Sequence, residues 1–166
     1  AEFDASLARI LQTSYFDLVQ LEGLYLIPYI GTIRKYSQAA IVLRAHNVEH
    51  EIWGRIARQE SNILKKIYFK VLYRRLRHFE IASLNRYDML IPITERDLAL
   101  FNELGNHKPA RVCPAALDKD GFSLPRLPAV QPSLFFLGSL EWRPNQEGLL
   151  WFTERILPEL LQHHPA

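Results

Sequence analysis

Short apolar runs alternate with segments of helical periodicity along the first two thirds of the chain. The apolar runs predict four strands, at residues 16–22, 39–45, 89–93 and 111–115. The segments between them repeat apolar residues every three or four positions and predict helices at residues 5–12, 24–36, 48–59, 63–86 and 94–104. This alternation is typical of the α/β class, so we expect a parallel sheet with helices on both faces.

The pattern changes after residue 116. Residues 117–132 contain three prolines and no hydrophobic period, so they predict a linker. A further apolar strand at residues 133–138 and a helix from about Asn145 follow the linker. One strand and one helix cannot bury both of their faces alone. They must either open a second α/β domain, which we place at residues 133–166, or dock on the sheet of residues 1–116.

Composition describes an ordinary globular protein, with 48% hydrophobic and 23% charged residues in 166 positions. The net charge of +2 is too small to indicate a nucleic-acid partner. The single cysteine, Cys113, excludes an internal disulfide, suits a reducing compartment and is predicted to be buried in a strand. Because the chain starts at Ala1 rather than at a methionine and stops at Ala166 in a segment unlike a natural terminus, we expect a piece of a longer protein.

Polar side chains gather where the second predicted strand gives way to a helix. His46, Asn47, Glu49, His50 and Glu51 fall within six positions, and open parallel sheets bind ligands beyond the carboxyl ends of their strands. No metal is expected, because His50 and Glu51 are not followed by a second histidine in register and no third ligand is near. Asn47 is predicted to cap the helix, and the glutamates complement its dipole. His46 is then either a hydrogen-bonded structural residue or a ligand contact.

The predicted helix at residues 63–86 is strongly basic. Residues 63–78, with Arg55 and Arg58 upstream, carry eight lysines and arginines against one acid, Glu60. One predicted face is basic and contains Lys66, Lys70, Arg74 and Arg77. The opposite stripe is apolar and contains Leu64, Ile67, Tyr68, Val71, Leu72, Leu76 and Phe79. We favour a solvated basic face on a helix whose apolar stripe packs on the core. The alternative is attraction to an anionic membrane surface.

The turn between the last predicted strand and the last helix has the composition of an anion site. Gly138 permits a tight turn, Arg143 supplies a cation and Asn145 is placed to cap the helix. Free N–H groups at a helix N-terminus bind phosphate. Neither GxGxxG nor a P-loop is present, so an ordinary capped turn explains the same residues.

Three segments, taken in order, resemble one enzyme family. Residues 44–53 read RAHNVEHEIW, residues 92–97 read PITERD and residues 136–148 read FLGSLEWRPNQEG. From about Tyr15 onward the chain is similar to bacterial glycosyltransferases of family 4, the retaining GT-B group. The resemblance implies two Rossmann-like domains. This chain would hold a partial GT-B fold, with part of the acceptor-side domain and the first strand and helix of the domain that binds the nucleotide-sugar donor.

The resemblance also implies roles for individual residues. His46 matches the histidine that faces the transferred sugar, and Glu22 and Asn47 would line the acceptor cleft. The donor diphosphate would contact the turn of the second domain, at Gly138, Ser139, Arg143 and Asn145. The intact enzyme would transfer a sugar to a glycan or lipid-linked acceptor with retention, in polysaccharide or cell-envelope glycan synthesis, without metal or cofactor. It would act in the cytoplasm, and the basic helix offers a peripheral contact with the inner face of the plasma membrane.

The chain departs from the family pattern at informative places. Gly138 is followed by Ser139 where many relatives carry arginine, so Arg143 or Asn145 would have to contact the diphosphate. The Glu-x7-Glu element of the family lies outside the sequence, and we therefore expect the piece alone to lack a complete donor site. Two alternatives stay open: a GT-B-like nucleotide-sugar epimerase, and a non-catalytic α/β module that binds a partner or a membrane.

Overall fold

Three parallel strands, neighbours in chain order, form the centre of the computed structural model. The structure describes residues 2–116 and 133–163, which fall in two compact units, Ala1–Leu117 and Asp118–Ala166. The strands belong to the first unit and are β1 (Leu18–Glu22), β2 (Ala40–Ala45) and β3 (Met89–Pro92). The α/β class that the alternating pattern predicts is confirmed.

Helices connect and flank these strands. In chain order they are α1 (Glu2–Thr13), a 3-10 segment (Leu24–Tyr29) that continues into α2 (Ile30–Tyr36), α3 (Glu49–Gln59), α4 (Ile63–Ser83) and α5 (Glu95–Glu103). Thr94 caps α5 as predicted, because its side-chain oxygen accepts a hydrogen bond from the backbone N–H of Asp97 at 3.0 Å. No helix in the described parts of the chain is long and apolar enough to cross a membrane.

The two faces of the sheet differ in burial because side chains alternate along each strand. Leu21, Leu43 and Leu90 stand side by side in the parallel register and are all buried in one apolar core. Glu22 and Arg44 are register partners one position further on and project from the other face, where Glu22 is exposed. The same register therefore builds the core and brings polar side chains to the carboxyl edge.

The fourth predicted strand, at residues 111–115, does not form as a regular strand. The chain instead meets β3 through an isolated parallel bridge between Leu90 and Ala110, and the backbone N–H of Cys113 donates to the carbonyl of Pro92 at 2.9 Å. Pro109 precedes the segment and Pro114 lies within it, and proline lacks the N–H that a ladder needs. The prediction that Cys113 is buried is also wrong, because its side chain is exposed at this edge of the sheet.

Helices α3 and α4 form an antiparallel hairpin whose contacts fix the rotation of α4. The rings of Trp53 and Phe69 lie 6.0 Å apart, and those of His50 and Tyr73 lie 5.8 Å apart. Gly54 allows the close approach, since a β-carbon there would lie 3.1 Å from the ring of Tyr73. The face of α4 that carries Phe69 and Tyr73 therefore packs on α3.

The predicted apolar stripe of α4 is consequently only half right. Leu72, Leu76 and Phe79 are half-buried, as a core-facing stripe requires. The first members of the stripe, Leu64, Ile67, Tyr68 and Val71, are exposed instead. The first half of this helix has two apolar faces, either of which could pack inward. Because of the aromatic contacts with α3, the face that carries Phe69 and Tyr73 is the one that packs.

The second unit contains α6 (Arg143–Trp151), a π-helical turn (Phe152–Ile156) and α7 (Leu157–His163). The predicted strand at residues 133–138 does not form, and Phe135 and Leu137 are 91% and 89% exposed. A strand needs a neighbour for its backbone hydrogen bonds, and the described residues of this unit contain no other strand. The π-helical turn precedes Pro158, whose missing N–H interrupts the α-helical hydrogen bonds.

Candidate functional site

The carboxyl ends of β1 and β2 bring Glu22 and His46 together. The two strands are parallel neighbours, so the last residue of β1 and the residue after β2 lie at the same edge of the sheet. Glu22 Oε2 lies 2.8 Å from His46 Nε2 and 3.9 Å from Arg44 Nε. The side chains of Glu22 and His46 are each about half exposed, at 49% and 47%. The pair is therefore accessible to a ligand.

Hydrogen bonds and nearby cations keep Glu22 ionised. The Gln20 side-chain amide, which donates to Glu22, lowers the pKa of this carboxyl most. Burial opposes this effect, and His46 and Arg44 lower the pKa further. An ionised Glu22 favours the proton of the neutral His46 ring on Nε2, which leaves Nδ1 as the acceptor. A protonated ring would instead present an Nδ1–H donor. The pair can thus orient a histidine toward a hydroxyl or an anion.

Gly23 makes the turn out of β1 that leaves room for this pair. Its φ of +94° is unfavourable for residues with a side chain, and its N–H donates to the carbonyl of Arg44 at 3.0 Å. A β-carbon at position 23 would lie 4.0 Å from the His46 ring. Position 23 therefore favours glycine because of its positive φ, and not because a side chain there would collide with His46.

The start of α3 is capped by a residue that sequence reasoning did not find. The prediction that Asn47 is the N-cap is wrong, since Val48 occupies that position and contributes no side-chain hydrogen bond. The Glu80 carboxylate from α4 instead accepts hydrogen bonds from the backbone N–H groups of Glu49, at 3.0 Å, and His50, at 3.2 Å. It also pairs with Nδ1 of the His50 ring. A carboxylate at a helix N-terminus satisfies free N–H groups and complements the dipole.

One feature of the sequence could have identified Glu80 as a residue that needs a buried partner. It is the one acidic residue of the 21-residue helix α4, which contains six lysines and arginines. It also lies in the core-facing half of that helix and is only 2% exposed. A single acid on the buried side of a basic helix needs a compensating partner, because burial of an unpaired carboxylate is costly.

Glu49 and Asn47 continue the polar edge beyond His46. Burial raises the pKa of Glu49, and the neighbouring Glu80 raises it further against an opposing hydrogen bond from Tyr25. The Tyr25 hydroxyl donates to Glu49 at 3.2 Å. His46, Asn47 and Glu49 line one small pocket with apolar residues of the core, so the structure brings these three polar side chains together.

A second pocket opens between the ends of β2 and β3. Asn47, Glu51, Arg55, Thr94 and Arg96 are among its lining residues. Arg96 contacts both carboxylate oxygens of Glu51, at 2.9 and 2.7 Å, and this hydrogen-bonded pairing raises the pKa of the Arg96 guanidinium. Asn47 lines both pockets. Residues 44–53 and 92–97 therefore meet at one sheet edge.

The predicted donor-side residues form a compact turn within the second unit. The Asn145 side-chain amide donates to the carbonyl of Ser139 at 3.0 Å, and a β-carbon at Gly138 would lie 2.9 Å from that amide nitrogen. The prediction that Asn145 caps the helix is wrong, because α6 begins two residues earlier and Trp142 occupies the N-cap position. Pro144 in the first turn favours this earlier start. Arg143 pairs with Glu147 at 2.7 Å.

The basic side chains of α4 are not all alike. Lys70, Arg74 and Arg77 are exposed, whereas Lys66 is half-buried on the side that faces α3. They lie along a helix whose far end supplies Glu80, so this surface is continuous with the scaffold of the site.

In residues 2–116 and 133–163, no three or more histidine, cysteine, aspartate or glutamate side chains are grouped to hold a metal ion. Comparison with models of protein families, with curated proteins and with solved structures found no match to the chain.

Proposed function

We propose that the chain is part of a retaining GT-B glycosyltransferase of family 4. The intact enzyme would act in the cytoplasm and transfer a sugar from a nucleotide-sugar donor to a glycan or lipid-linked acceptor. The observation that carries the proposal is the half-exposed pair of Glu22 and His46, 2.8 Å apart at the carboxyl edge of the parallel sheet. This edge is where open α/β sheets bind their ligands.

The chemistry of the pair suits sugar transfer with a diphosphate leaving group. Such a reaction depends on the orientation of hydroxyl groups and on stabilisation of developing negative charge more than on a strong base. Glu22 holds the His46 ring through Nε2 and leaves Nδ1 to contact a sugar oxygen. In this proposal His46 faces the transferred sugar, and Glu22 and Asn47 line the acceptor side.

The turn of the second unit supports the donor half of the proposal. Gly138 is required there, because any β-carbon would collide with Asn145. Ser139 and Asn145 hold the turn together at the N-terminal end of α6, where the helix dipole favours the negative charge of a phosphate. The exposed pair of Arg143 and Glu147 is worth only about 0–1 kcal/mol, so a diphosphate can compete with Glu147 for the guanidinium.

The test measures release of nucleoside diphosphate by the full-length protein from a panel of nucleotide sugars, with and without glycan acceptors. We expect His46→Ala to lower kcat/KM at least tenfold, or about 1.4 kcal/mol in transition-state free energy. His107→Ala is the matched control, because this histidine is exposed and its recorded hydrogen bond uses only its backbone N–H. We expect that control to stay within about twofold of the parent.

Two outcomes would contradict the proposal. If no nucleotide sugar is consumed, or if the sugar nucleotide is isomerised without an acceptor, the chain is not part of a glycosyltransferase, and the second result identifies an epimerase. A rate for His46→Ala within about twofold of the parent, below roughly 0.4 kcal/mol, would remove His46 from the site. Glu22→Gln refines the assignment, since the amide keeps an acceptor but loses the charge that fixes the ring tautomer.

A further inference from the structure

The outward face of α4 exposes a continuous apolar stripe. Leu64, Ile67, Tyr68 and Val71 follow one another at i, i+3, i+4 and i+7 and are 78%, 55%, 63% and 49% exposed. Ile63, at the first position of the helix, is also exposed. Isolated surface apolar residues are ordinary, but a helical stripe of several large ones indicates an interaction surface.

The stripe cannot serve the core of its own unit. The opposite side of α4 already packs on α3, through the contacts of Phe69 with Trp53 and of Tyr73 with His50. Rotating the helix to bury Leu64 and Val71 would break both ring contacts and separate Tyr73 from Gly54. The exposed stripe is therefore a fixed feature of the hairpin.

Positive charge accompanies the stripe along the helix. Lys65, Lys70, Arg74, Arg75 and Arg77 are exposed on the same helix, and Arg55 and Arg58 are exposed on α3. The acid of α4, Glu80, is buried against His50 and adds no negative charge to this surface. Exposed apolar residues bordered by lysine and arginine are the pattern of a helix that lies in a membrane interface.

We propose that this face of α4 docks on an anionic phospholipid surface. Leu64, Ile67 and Val71 enter the boundary between headgroups and acyl chains, and Lys70 and Arg74 contact the anionic headgroups. The inference rests on the exposed stripe and on charge complementarity, and it does not depend on the proposed sugar transfer.

Other occupants fit these observations less well. A second copy of the chain docked face to face would bring the exposed lysines and arginines of two α4 helices into one interface, which is unfavourable. Nucleic acid would engage the cations but would leave Leu64, Ile67 and Val71 without a role, since phosphate contacts need no aliphatic side chains. An anionic bilayer satisfies both classes of residue at once.

The experiment is flotation of the full chain with vesicles of neutral phosphatidylcholine, with and without about one third phosphatidylglycerol. We expect binding to the anionic vesicles alone, with release at high salt because screening weakens the headgroup contacts. Leu64→Glu with Ile67→Glu should reduce binding at least tenfold, as should Lys70→Glu with Arg74→Glu. Because these side chains are exposed, circular dichroism and thermal midpoints should stay near those of the parent.

The matched control carries Arg9→Glu and Ile10→Glu on α1, where both side chains are also exposed. It makes the same kinds of change and should bind vesicles like the parent. Equal binding of the parent to neutral vesicles, equal loss in the control, or no flotation at all would overturn the proposal. So would a dimer, found by sedimentation without lipid, that Leu64→Glu with Ile67→Glu dissociates, or RNA binding that survives these apolar substitutions while vesicle binding is absent.

Discussion

Replacing Glu80 by alanine removes the residue that joins α4 to the start of α3. The carboxylate is 2% exposed, accepts hydrogen bonds from the N–H groups of Glu49 and His50, and pairs with the His50 ring. The substitution leaves two helix N–H groups and one buried imidazole without this acceptor. Val48, the N-cap residue of this helix, contributes no side-chain hydrogen bond.

The expected loss of unfolding free energy is about 3–5 kcal/mol, because two backbone N–H groups and the buried His50 ring all lose their hydrogen-bond partner. Hydrogen bonds to a charged group contribute about 1.5–3 kcal/mol each, so the two backbone bonds alone account for a similar amount. Glu80→Gln should cost less, about 2 kcal/mol, since its amide oxygen still accepts one of the backbone bonds.

Urea unfolding followed by circular dichroism measures these losses, and hydrogen exchange at the amides of Glu49 and His50 localises them. Glu103→Ala is the matched control, because it makes the same change at an exposed position at the end of α5 and should stay within about 0.5 kcal/mol. A loss below about 1 kcal/mol for Glu80→Ala, or unchanged exchange at both amides, would refute the assignment of Glu80 as the cap of α3.

Other contacts give smaller, equally specific predictions. Gly54→Val should destabilise the unit by about 1–3 kcal/mol, because the valine side chain would collide with the Tyr73 ring. Gly31→Ala should stabilise it by about 0.4–1 kcal/mol, because a β-carbon there meets open space. Thermal unfolding measures both changes. Arg34 lowers the pKa of Asp88, so the stability this pair provides is full above the ordinary value of 3.8 and is lost as pH falls through the lower folded-state value. Asp88→Asn should therefore cost about 0.5–1 kcal/mol at neutral pH, with the difference from the parent vanishing in acid unfolding titrations.

The sheet could be predicted from the sequence because its signal is local. Residues 39–43 are apolar and flanked by polar positions, and the strand Ala40–Ala45 forms there. The packing face of α4 could not be predicted in the same way. Both the stripe through Leu64 and Val71 and the face through Phe69 and Tyr73 recur at helical spacing, and only contacts with α3 distinguish them.

The same distinction between local sequence patterns and contacts of distant segments applies to the candidate site. Glu22 and His46 each stand at the end of an apolar run, so their place at a strand edge was predictable. Their distance of 2.8 Å depends on β1 and β2 being neighbours, which no local pattern states. The role of Glu80 could not be predicted, because it caps a helix that begins 31 positions earlier in the chain.

Helix α4 joins the two surfaces on which the proposals rest. Its first half exposes the stripe of Leu64, Ile67 and Val71, and its second half turns inward and places Glu80 beneath the start of α3. That start follows His46 by three residues, so the orientation of the docking face and the position of the histidine are set by the same helix. Burial explains why the two halves differ: ring contacts with α3 fix the rotation, and the core then covers the later turns of α4 but not the first. A bilayer bound to the first half would therefore hold the edge with Glu22 and His46 at a defined distance from the headgroups.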